Sequence, residues 1–205
     1  GGLARAVVLG SGARVAGDVI VNVAGAWGPE VCAMVGMRVP VEPLSRNTFY
    51  FEIRGQVETM PLTKDPSGVA FRQEGAGFTA GQTDINVPFG FDWDVYHDKF
   101  EEVFWPALAH RVPAFEALQV KRGWSGHYAY NRMDGNTIIG KWIGGLDNFY
   151  IATGFTGAGL QKGPAIGRAI TELLLHGGYQ TIDLSRMSYQ RVIDDEPLLE
   201  TGFSA

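Results

Sequence analysis

Hydrophobic residues change their spacing several times along the chain, and each change predicts a new element. The apolar run 4–9, a Gly-Ser-Gly turn and a returning strand from Arg14 predict a β-hairpin. The nearly continuous apolar run 18–23 is typical of a strand buried on both faces. Pro29 stands where a first helical position would be, and Gly36 would end that short helix. The chain is therefore expected to open with a hairpin, a strand and a helix.

The middle of the chain alternates between strand and helical spacing. Short alternating segments separated by turns predict an antiparallel sheet between Val39 and about Pro88. Apolar residues of segment 91–110 recur at helical spacing, and Pro106 and Pro113 should divide it into short helices. Its aromatic residues are interpreted as core rather than as a cofactor site: Trp93, Tyr96, Phe100, Phe104 and Trp105. Further strands are predicted over 120–130, 137–140 and 148–153.

The strongest local pattern is a glycine-rich loop that follows the last predicted strand. Its glycines follow the order G-x-x-G-x-G from Gly154, which is neither the dinucleotide fingerprint nor a P-loop. A helix is predicted over Pro164–His176, with Gly177 as its stop. Free backbone N–H groups and the dipole at a helix start favour an anion or an electron-rich carbonyl. The same glycines could equally serve only a tight turn between strand and helix.

Composition narrows the classes of function. The 28 glycines among 205 residues are about twice the usual share of ~7%. A net charge of −5 without a basic stripe argues against a nucleic-acid partner. The longest apolar runs are far shorter than a membrane span requires, so no transmembrane segment is expected. The single cysteine, Cys32, excludes an internal disulfide, and no His pair has metal-ligand spacing, so no metal is predicted.

Three segments, taken in order, carry a resemblance to a known family. They are Val21–Trp27, Trp124–Gly126 leading to Asp134–Gly140, and Ala152–Gly159 with the helix that follows. In these residues the chain resembles the C-terminal part of the D-amino-acid-oxidase-like family of FAD-dependent oxidoreductases. The resemblance extends from the hairpin to about Ser185. Segments 111–116 and 180–185 add a likeness to a mitochondrial member.

The resemblance implies an α+β fold that forms the C-terminal part of a two-domain FAD-dependent oxidoreductase. The first domain would be part of a Rossmann-type FAD-binding domain, made of residues 1–36 and 146–180. Residues 37–145 would form a substrate domain with an antiparallel or mixed sheet. Residues 181–205 carry little pattern and are expected to be a tail, in which Asp194, Asp195 and Glu196 are solvated.

The resemblance also implies which residues hold the cofactor. The loop matching Gly154–Gln161 would lie against the isoalloxazine ring, and the loop matching Ala24–Trp27 would pass the phosphates and ribityl chain. The implied cofactor-binding residues are Ala24, Gly25, Ala26, Trp27, Gly154, Phe155, Thr156, Gly157, Ala158, Gly159, Leu160 and Gln161. The family's G-x-G-x-x-G turn has no match here, so an N-terminal FAD-binding segment is expected outside these residues. The cysteine that holds flavin covalently in some members has no counterpart near His127, so noncovalent FAD is expected.

The resemblance places His127, Tyr128 and Tyr130 on the substrate side as the candidate catalytic residues. His127 could act as a hydrogen-bond partner or a base for a substrate amine, or could simply be a packed histidine. Family members that bind an α-carboxylate have an Arg just after the Trp-x-Gly, where this chain has Tyr128, with Arg132 displaced. An α-carboxylate substrate is therefore in doubt. Thr79 replaces the Lys of oxygen-using members, which favours a dehydrogenase that passes electrons to a carrier.

The function that follows is oxidation of a C–N bond in a small amine or amino-acid-like substrate, by hydride transfer to flavin. The electron acceptor is not indicated by the sequence. The expected compartment is the cytoplasm, or the mitochondrial matrix if the chain is eukaryotic. The alternative is a flavin fold used as an assembly or interaction factor, with little or no catalysis.

Overall fold

The computed structural model describes residues 2–55 and 57–199 of the chain. The strands are β1 Ala6–Val8, β2 Arg14–Ala16, β3 Ile20–Asn22, β4 Val41–Ile53, β5 Thr63–Lys64, β6 Val69–Glu74, β7 Gly77–Gln82, β8 Leu118–Asn131, β9 Ile138–Lys141 and β10 Phe149–Thr153. The α-helices are α1 Gly28–Met34, α2 His97–Lys99, α3 Trp105–Arg111, α4 Gly159–His176 and α5 Gln190–Ile193. A π-helical segment, Phe100–Phe104, joins α2 to α3. This mixture of sheets and helices agrees with the predicted α+β class.

The chain divides into two units. Of the described residues, the discontinuous unit contains 2–43 and 128–199, and the continuous unit contains 44–55 and 57–127. The domain division predicted from the sequence, with changes near 36 and 145, therefore differs from these bounds. The chain passes from one unit to the other within β4 and again within β8. A local sequence pattern does not predict a unit boundary inside a continuous strand.

The discontinuous unit contains a hairpin and a three-stranded sheet. Strands β1 and β2 pair antiparallel with Ala6 opposite Ala16, as predicted. In the sheet, with order β3-β10-β9, β10 runs parallel to β3 and antiparallel to β9. Strand β3 is shorter than predicted, and Val23 beyond it is 66% exposed. The expectation of a strand buried on both faces was wrong, because Ile20 and Val21 are only partly buried.

Helix α4 begins earlier than the sequence indicated. It starts at Gly159, so Pro164 lies inside the helix instead of at its first position. Buried Ile166, Ala169 and Ile170 hold this helix against the sheet, and that packing outweighs the backbone bond that Pro164 removes. Its end is as predicted, since Gly177 has φ +73°.

The continuous unit is built on an antiparallel sheet with the strand order β5-β6-β7-β4-β8. Phe51 of β4 is opposite Phe78 of β7, and one face of the sheet packs on a cluster of phenylalanines. The fully buried members of that cluster are Phe49, Phe51, Phe71, Phe104 and Phe115. The other face carries the alternate residues of the same strands.

The helical segment over this core was predicted only in part. Helical structure begins at His97, and the N-cap residue is Tyr96. Phe100 and Phe104 are buried as predicted. The core interpretation was wrong for Trp93, Tyr96 and Trp105, which are exposed; the side chain of Trp93 is 58% exposed. The aromatic spacing continues before the helix starts, so periodicity alone misplaced these side chains.

The segment predicted to be a tail is ordered up to the last described residue. A 3₁₀ turn, Ser185–Met187, leads into α5, and Tyr189 and Arg191 are buried. The prediction of a tail for this part was wrong, because short elements with a buried charge give no periodic pattern. None of the described helices is both long and apolar enough to cross a membrane.

Candidate functional site

The two loops predicted to hold a cofactor follow neighbouring parallel strands. β3 and β10 pair in parallel with Asn22 opposite Ile151, so the chain leaves both strands at the same edge of the sheet. The residues that flank the two loops lie close together, since a Cβ atom added at Gly28, after the first loop, would lie 2.9 Å from Oγ1 of Thr153, before the second. The carboxyl ends of parallel strands are where such sheets bind ligands. The structure therefore brings Ala24–Trp27 and Gly154–Gln161 to one place.

Asn22, at the end of β3, fixes the first loop. Its Oδ1 accepts a hydrogen bond from the N–H of Ala24 at 3.1 Å, and its Nδ2 donates to the carbonyl of Gly28 at 2.8 Å. The loop itself is a 3₁₀ turn, Gly25–Trp27, in which Gly25 has φ +58° and Ala26 is buried. Sequence reasoning missed Asn22, although an Asn at a strand end is a known signal for a side chain that binds a turn.

The glycine-rich loop is held by Thr156. Thr156 has φ +50°, an outlier for a β-branched residue, and its side chain is buried. Its Oγ1 accepts from the N–H of Asn131 at 3.1 Å, and its own N–H donates to the carbonyl of Ala129 at 3.0 Å. Gly154 and Gly157 have φ +71° and +90°, so the loop needs glycine at both positions.

The start of α4 is available to a ligand. Its N-cap residue, Ala158, has no side-chain acceptor for the first backbone N–H groups, and Leu160 beside it is 92% exposed. The dipole of this long helix places about half a positive charge at that end. The arrangement suits a negatively charged or electron-rich group of a ligand.

The candidate catalytic residues lie on strand β8. Tyr128 belongs to the glycine-rich loop site, because a Cβ atom at Gly157 would lie 2.9 Å from Cε2 of its ring. Tyr130 is two residues further along the strand, so it lies on the same face as Tyr128 and is half-buried. His127 precedes Tyr128 and lies on the opposite face of the strand.

The hydrogen bonding of His127 leaves its ring without a free lone pair, so it is not placed to act as a base. Its Nε2 accepts a hydrogen bond from the backbone N–H of Asp92 at 2.9 Å, so the neutral ring carries its proton on Nδ1. Burial lowers the pKa of His127, which favours this neutral form. Nδ1 is buried and has no hydrogen-bond partner among the described residues. The rings of Phe91 and Trp93 contact the imidazole, with centroids at 5.1 and 4.3 Å.

A buried ion pair fixes the turn that precedes β9. Nε of Arg191 lies 3.0 Å from Oδ2 of Asp134, and both side chains are almost fully buried. Asn131 Nδ2 donates to Oδ1 of Asp134 at 2.8 Å, and the N–H of Leu198 donates to Oδ2 at 2.9 Å. Burial alone would raise the pKa of Asp134, but these hydrogen bonds, with that of Arg191 the largest, hold the pKa below its ordinary value.

Asn131 connects the ion pair to the glycine-rich loop. Asn131 contacts Asp134 with its side chain and Thr156 with its backbone N–H. Asp134 and Gly135 lie in a turn, and the sequence gave no sign that Arg191 would pair with Asp134. No pattern identifies a partner that lies 57 residues away in the chain. Among the residues that the structure describes, no group of three or more His, Cys, Asp or Glu is placed to hold a metal ion.

Comparison with known proteins gives a family match and several relatives. The model of the family described as "FAD dependent oxidoreductase" matches residues 1–173. The chain is 41% identical over 199 residues to "FAD-dependent oxidoreductase domain-containing protein 1" of Xenopus laevis, and 39% identical over 189 residues to the protein of that name in Bos taurus. These alignments cover 89% and 84% of this chain. The chain spans about 40% of the length of these relatives.

Solved structures share the fold at lower identity. L-proline dehydrogenase from P. horikoshii matches with a TM-score of 0.82 and 22% identity, over 96% of this chain and 55% of that chain. Glycine oxidase from Geobacillus kaustophilus matches with a TM-score of 0.75 and 19% identity, over 95% of this chain and 48% of that chain. The elements described above are therefore arranged as in part of these larger structures.

Proposed function

Because the chain belongs to the family of FAD dependent oxidoreductases, we propose that it forms part of an enzyme that oxidises a C–N bond of a small amine or amino-acid-like substrate. The observation that carries this proposal is the meeting of two glycine-containing loops at the carboxyl ends of parallel β3 and β10. FAD supplies the chemistry when bound, since its isoalloxazine ring accepts the hydride. The residues of this chain bind and orient the reactants.

The residues at the meeting point fit FAD. Gly154 and Gly157 carry no Cβ and hold conformations that let backbone approach a flat ring. The start of α4 would stabilise negative charge on the reduced ring. The exposed side of the other loop, with Ala24 and Trp27, is open to an extended cofactor chain. We place the ring against Gly154–Gln161 and the phosphates and ribityl chain near Ala24–Trp27.

We propose that FAD is held without a covalent bond through cysteine. Cys32, the single cysteine of the chain, is fully buried beneath the first loop and accepts a hydrogen bond from Asn22 Nδ2 at 3.2 Å. Burial raises the pKa of its thiol, so the nucleophilic thiolate is disfavoured.

The substrate side is proposed to consist of Tyr128 and Tyr130, which share one face of β8. Tyr128 packs on the glycine-rich loop and would limit how the substrate meets the ring. His127 was predicted on the same side, but it lies on the opposite face of β8, where its Nε2 accepts from the N–H of Asp92 and its ring packs against Phe91 and Trp93, so we assign it a packing role.

The names of relatives support an amine as substrate. The chain is 26% identical over 170 residues to a protein named "Sarcosine dehydrogenase, mitochondrial" in Homo sapiens. The two solved structures described above are an L-proline dehydrogenase and a glycine oxidase, and proline and glycine both contain a C–N bond. Thr79, at the position of the oxygen-linked Lys, favours a dehydrogenase over an oxidase. The compartment, cytoplasm or mitochondrial matrix, stays a prediction.

Spectroscopy of the full-length protein tests the proposal. We expect the purified protein to show the visible absorbance of bound oxidised flavin, and a panel of N-methyl amines and amino acids to bleach it anaerobically. Bound FAD that no compound of a broad panel reduces would favour the assembly or interaction factor instead. Flavin released by acid precipitation would confirm noncovalent attachment.

Replacing Gly157 with alanine is expected to weaken FAD binding in the full-length protein. Gly157 has φ +90°, and the new Cβ would lie 2.9 Å from the ring of Tyr128. Strain of about 1–3 kcal/mol in the loop should lower FAD affinity by about 10-fold. The affinity is measured by titrating apoprotein with FAD and following flavin fluorescence.

Gly167→Ala is the matched control for this change. Gly167 lies in α4 with nothing within 4 Å of the added Cβ, so FAD affinity should not fall. Equal affinity in the two variants would contradict contact between the glycine-rich loop and the ring.

A further inference from the structure

The glycine-rich loop contains a strained residue that needs support from its surroundings. Thr156 has φ +50°, in the left-handed region that a β-branched residue rarely adopts. Its N–H donates to the carbonyl of Ala129 at 3.0 Å, and its Oγ1 accepts from the N–H of Asn131 at 3.1 Å. Such a conformation persists only where neighbouring residues fix it. The end of β8 therefore determines the shape of the loop.

The start of the loop packs directly on the turn that precedes β9. A Cβ atom added at Gly154 would lie 3.1 Å from Cβ of Asn131 and 3.4 Å from the carbonyl oxygen of Asn136. Asn131 is fully buried, and its Nδ2 donates to that carbonyl at 2.5 Å and to Oδ1 of Asp134 at 2.8 Å. Because no space separates the loop from this turn, a shift of the turn would displace the loop.

The turn is fixed by residues 185–198, which we call the C-terminal segment. Arg191 donates to both carboxylate oxygens of Asp134, at 3.0 and 3.3 Å, and to the carbonyl of Asn136 at 3.2 Å. The N–H of Leu198 donates to Asp134 at 2.9 Å, and the Leu198 carbonyl accepts from Nδ2 of Asn136 at 2.8 Å. Several hydrogen bonds, two of them between charged groups, thus connect the segment to the turn.

The C-terminal segment lies beyond residue 173, where the family match ends, whereas Asp134 lies within that match. Arg191 is only 5% exposed, so its charge has been taken out of water. Apolar residues of similar volume often stabilise a fold as well as a buried ion pair does, so stability alone does not account for this pair. The planar fork of Arg191 also fixes the geometry of the groups that it binds.

We propose that Arg191 is a positioning residue for FAD, which holds the turn at Asp134, and through Asn131 the glycine-rich loop, in the shape that meets the isoalloxazine ring. This inference rests on the proposed function. The residue acts through the loop and does not touch the cofactor. When the turn is loosened, Thr156 loses its support, and the start of α4 no longer faces the ring in the same place.

The test removes both charges of the ion pair together, because a lone buried carboxylate would itself destabilise the fold. The variant is Arg191→Met combined with Asp134→Leu in the full-length protein. We expect its dissociation constant for FAD, measured by fluorescence titration of the apoprotein, to rise about 10-fold, since the hydrogen bonds that fix the turn are lost. Arg191→Lys keeps the charge without the planar fork and should raise the constant by a smaller factor.

Two further measurements separate positioning from a general loss of stability. Hydrogen exchange of the double variant without FAD should show lost protection at the amide of Thr156, while the amides of β10 stay protected. The reduction potential of the bound flavin should become more negative, because the positive end of α4 stabilises the reduced ring less well. A residue that only stabilises the fold would leave this potential unchanged.

Arg186→Met is the matched control, because Arg186 is an exposed arginine of the same segment. It should leave the FAD affinity, the exchange at Thr156 and the potential unchanged. Urea unfolding verifies that each variant is folded under the conditions of the titration. Wild-type FAD affinity, wild-type exchange at Thr156 or an unchanged potential in the double variant would each overturn the inference.

The outcomes also distinguish this inference from the proposed function. If amines reduce the flavin and the double variant behaves like the wild type, the role of Arg191 is wrong and the proposed function stands. If FAD binding depends on the ion pair and no amine reduces the flavin, the positioning role stands and the oxidation of a C–N bond is wrong. A full-length protein that binds no FAD overturns both.

Discussion

Replacing Arg191 with methionine is expected to lower the free energy of unfolding by about 3–5 kcal/mol, because it leaves the buried carboxylate of Asp134 without its cation. Arg191 is only 5% exposed and donates to Asp134 at 3.0 and 3.3 Å. It also donates to the carbonyls of Asn136 and Thr137 at 3.2 Å, and both hydrogen bonds would be lost in the same step. Urea unfolding followed by circular dichroism measures the change.

Two further variants separate the ion pair from a general effect of removing charge. Arg186→Met changes an exposed arginine of the neighbouring 3₁₀ turn and should alter the stability by less than about 0.5 kcal/mol. The double variant Arg191→Met with Asp134→Leu should be less destabilised than the single one, since no buried charge is left alone. A single variant as stable as the Arg186→Met control would show that the ion pair is not formed.

Replacing Phe115 with alanine is expected to cost about 3–5 kcal/mol of unfolding free energy in the continuous unit. Phe115 is fully buried at the centre of the phenylalanine core. Its ring centroid lies 4.8 Å from that of Phe78, 5.2 Å from that of Phe51 and 5.5 Å from that of Phe71. Losing one ring therefore opens a cavity against three strands, and differential scanning calorimetry should report a lower unfolding temperature.

Variants that remove less of the buried side chain, or an exposed side chain, provide the controls. Phe115→Leu keeps more of the volume and should cost less than half as much as alanine. Ile85→Ala removes an exposed aliphatic side chain of the same unit and should change the stability little. Similar costs for Ile85→Ala and Phe115→Ala would mean that Phe115 does not fill the core as described.

The sequence predicted the elements that depend on neighbouring residues. The hairpin, the helix that begins near Pro29 and the end of α4 at Gly177 follow from turn glycines and apolar spacing, and all three are present. The sequence failed to predict features that depend on contacts between residues far apart in the chain. Val23 looked buried because it is apolar, but β3 lies at an edge among the described strands. Trp93 and Tyr96 continue the spacing of a helix that has not yet begun.

The sequence predicted which segments form the candidate site, but it did not predict how those segments are placed relative to one another. Glycines identified both loops, but their meeting depends on parallel pairing of β3 with β10, which are separated by most of the chain. Such pairings have no local signature, since loop closure over long separations leaves no periodic pattern.

The ion pair between Asp134 and Arg191 has a consequence for the order in which the chain is completed during synthesis. Residues 44–127 form a contiguous unit, so this part can fold as soon as it leaves the ribosome. The Asp134 carboxylate must then wait until 57 more residues have been added before its cation exists. The glycine-rich loop, bound to Asn131 beside that carboxylate, therefore reaches its final shape only after Arg191 has been added.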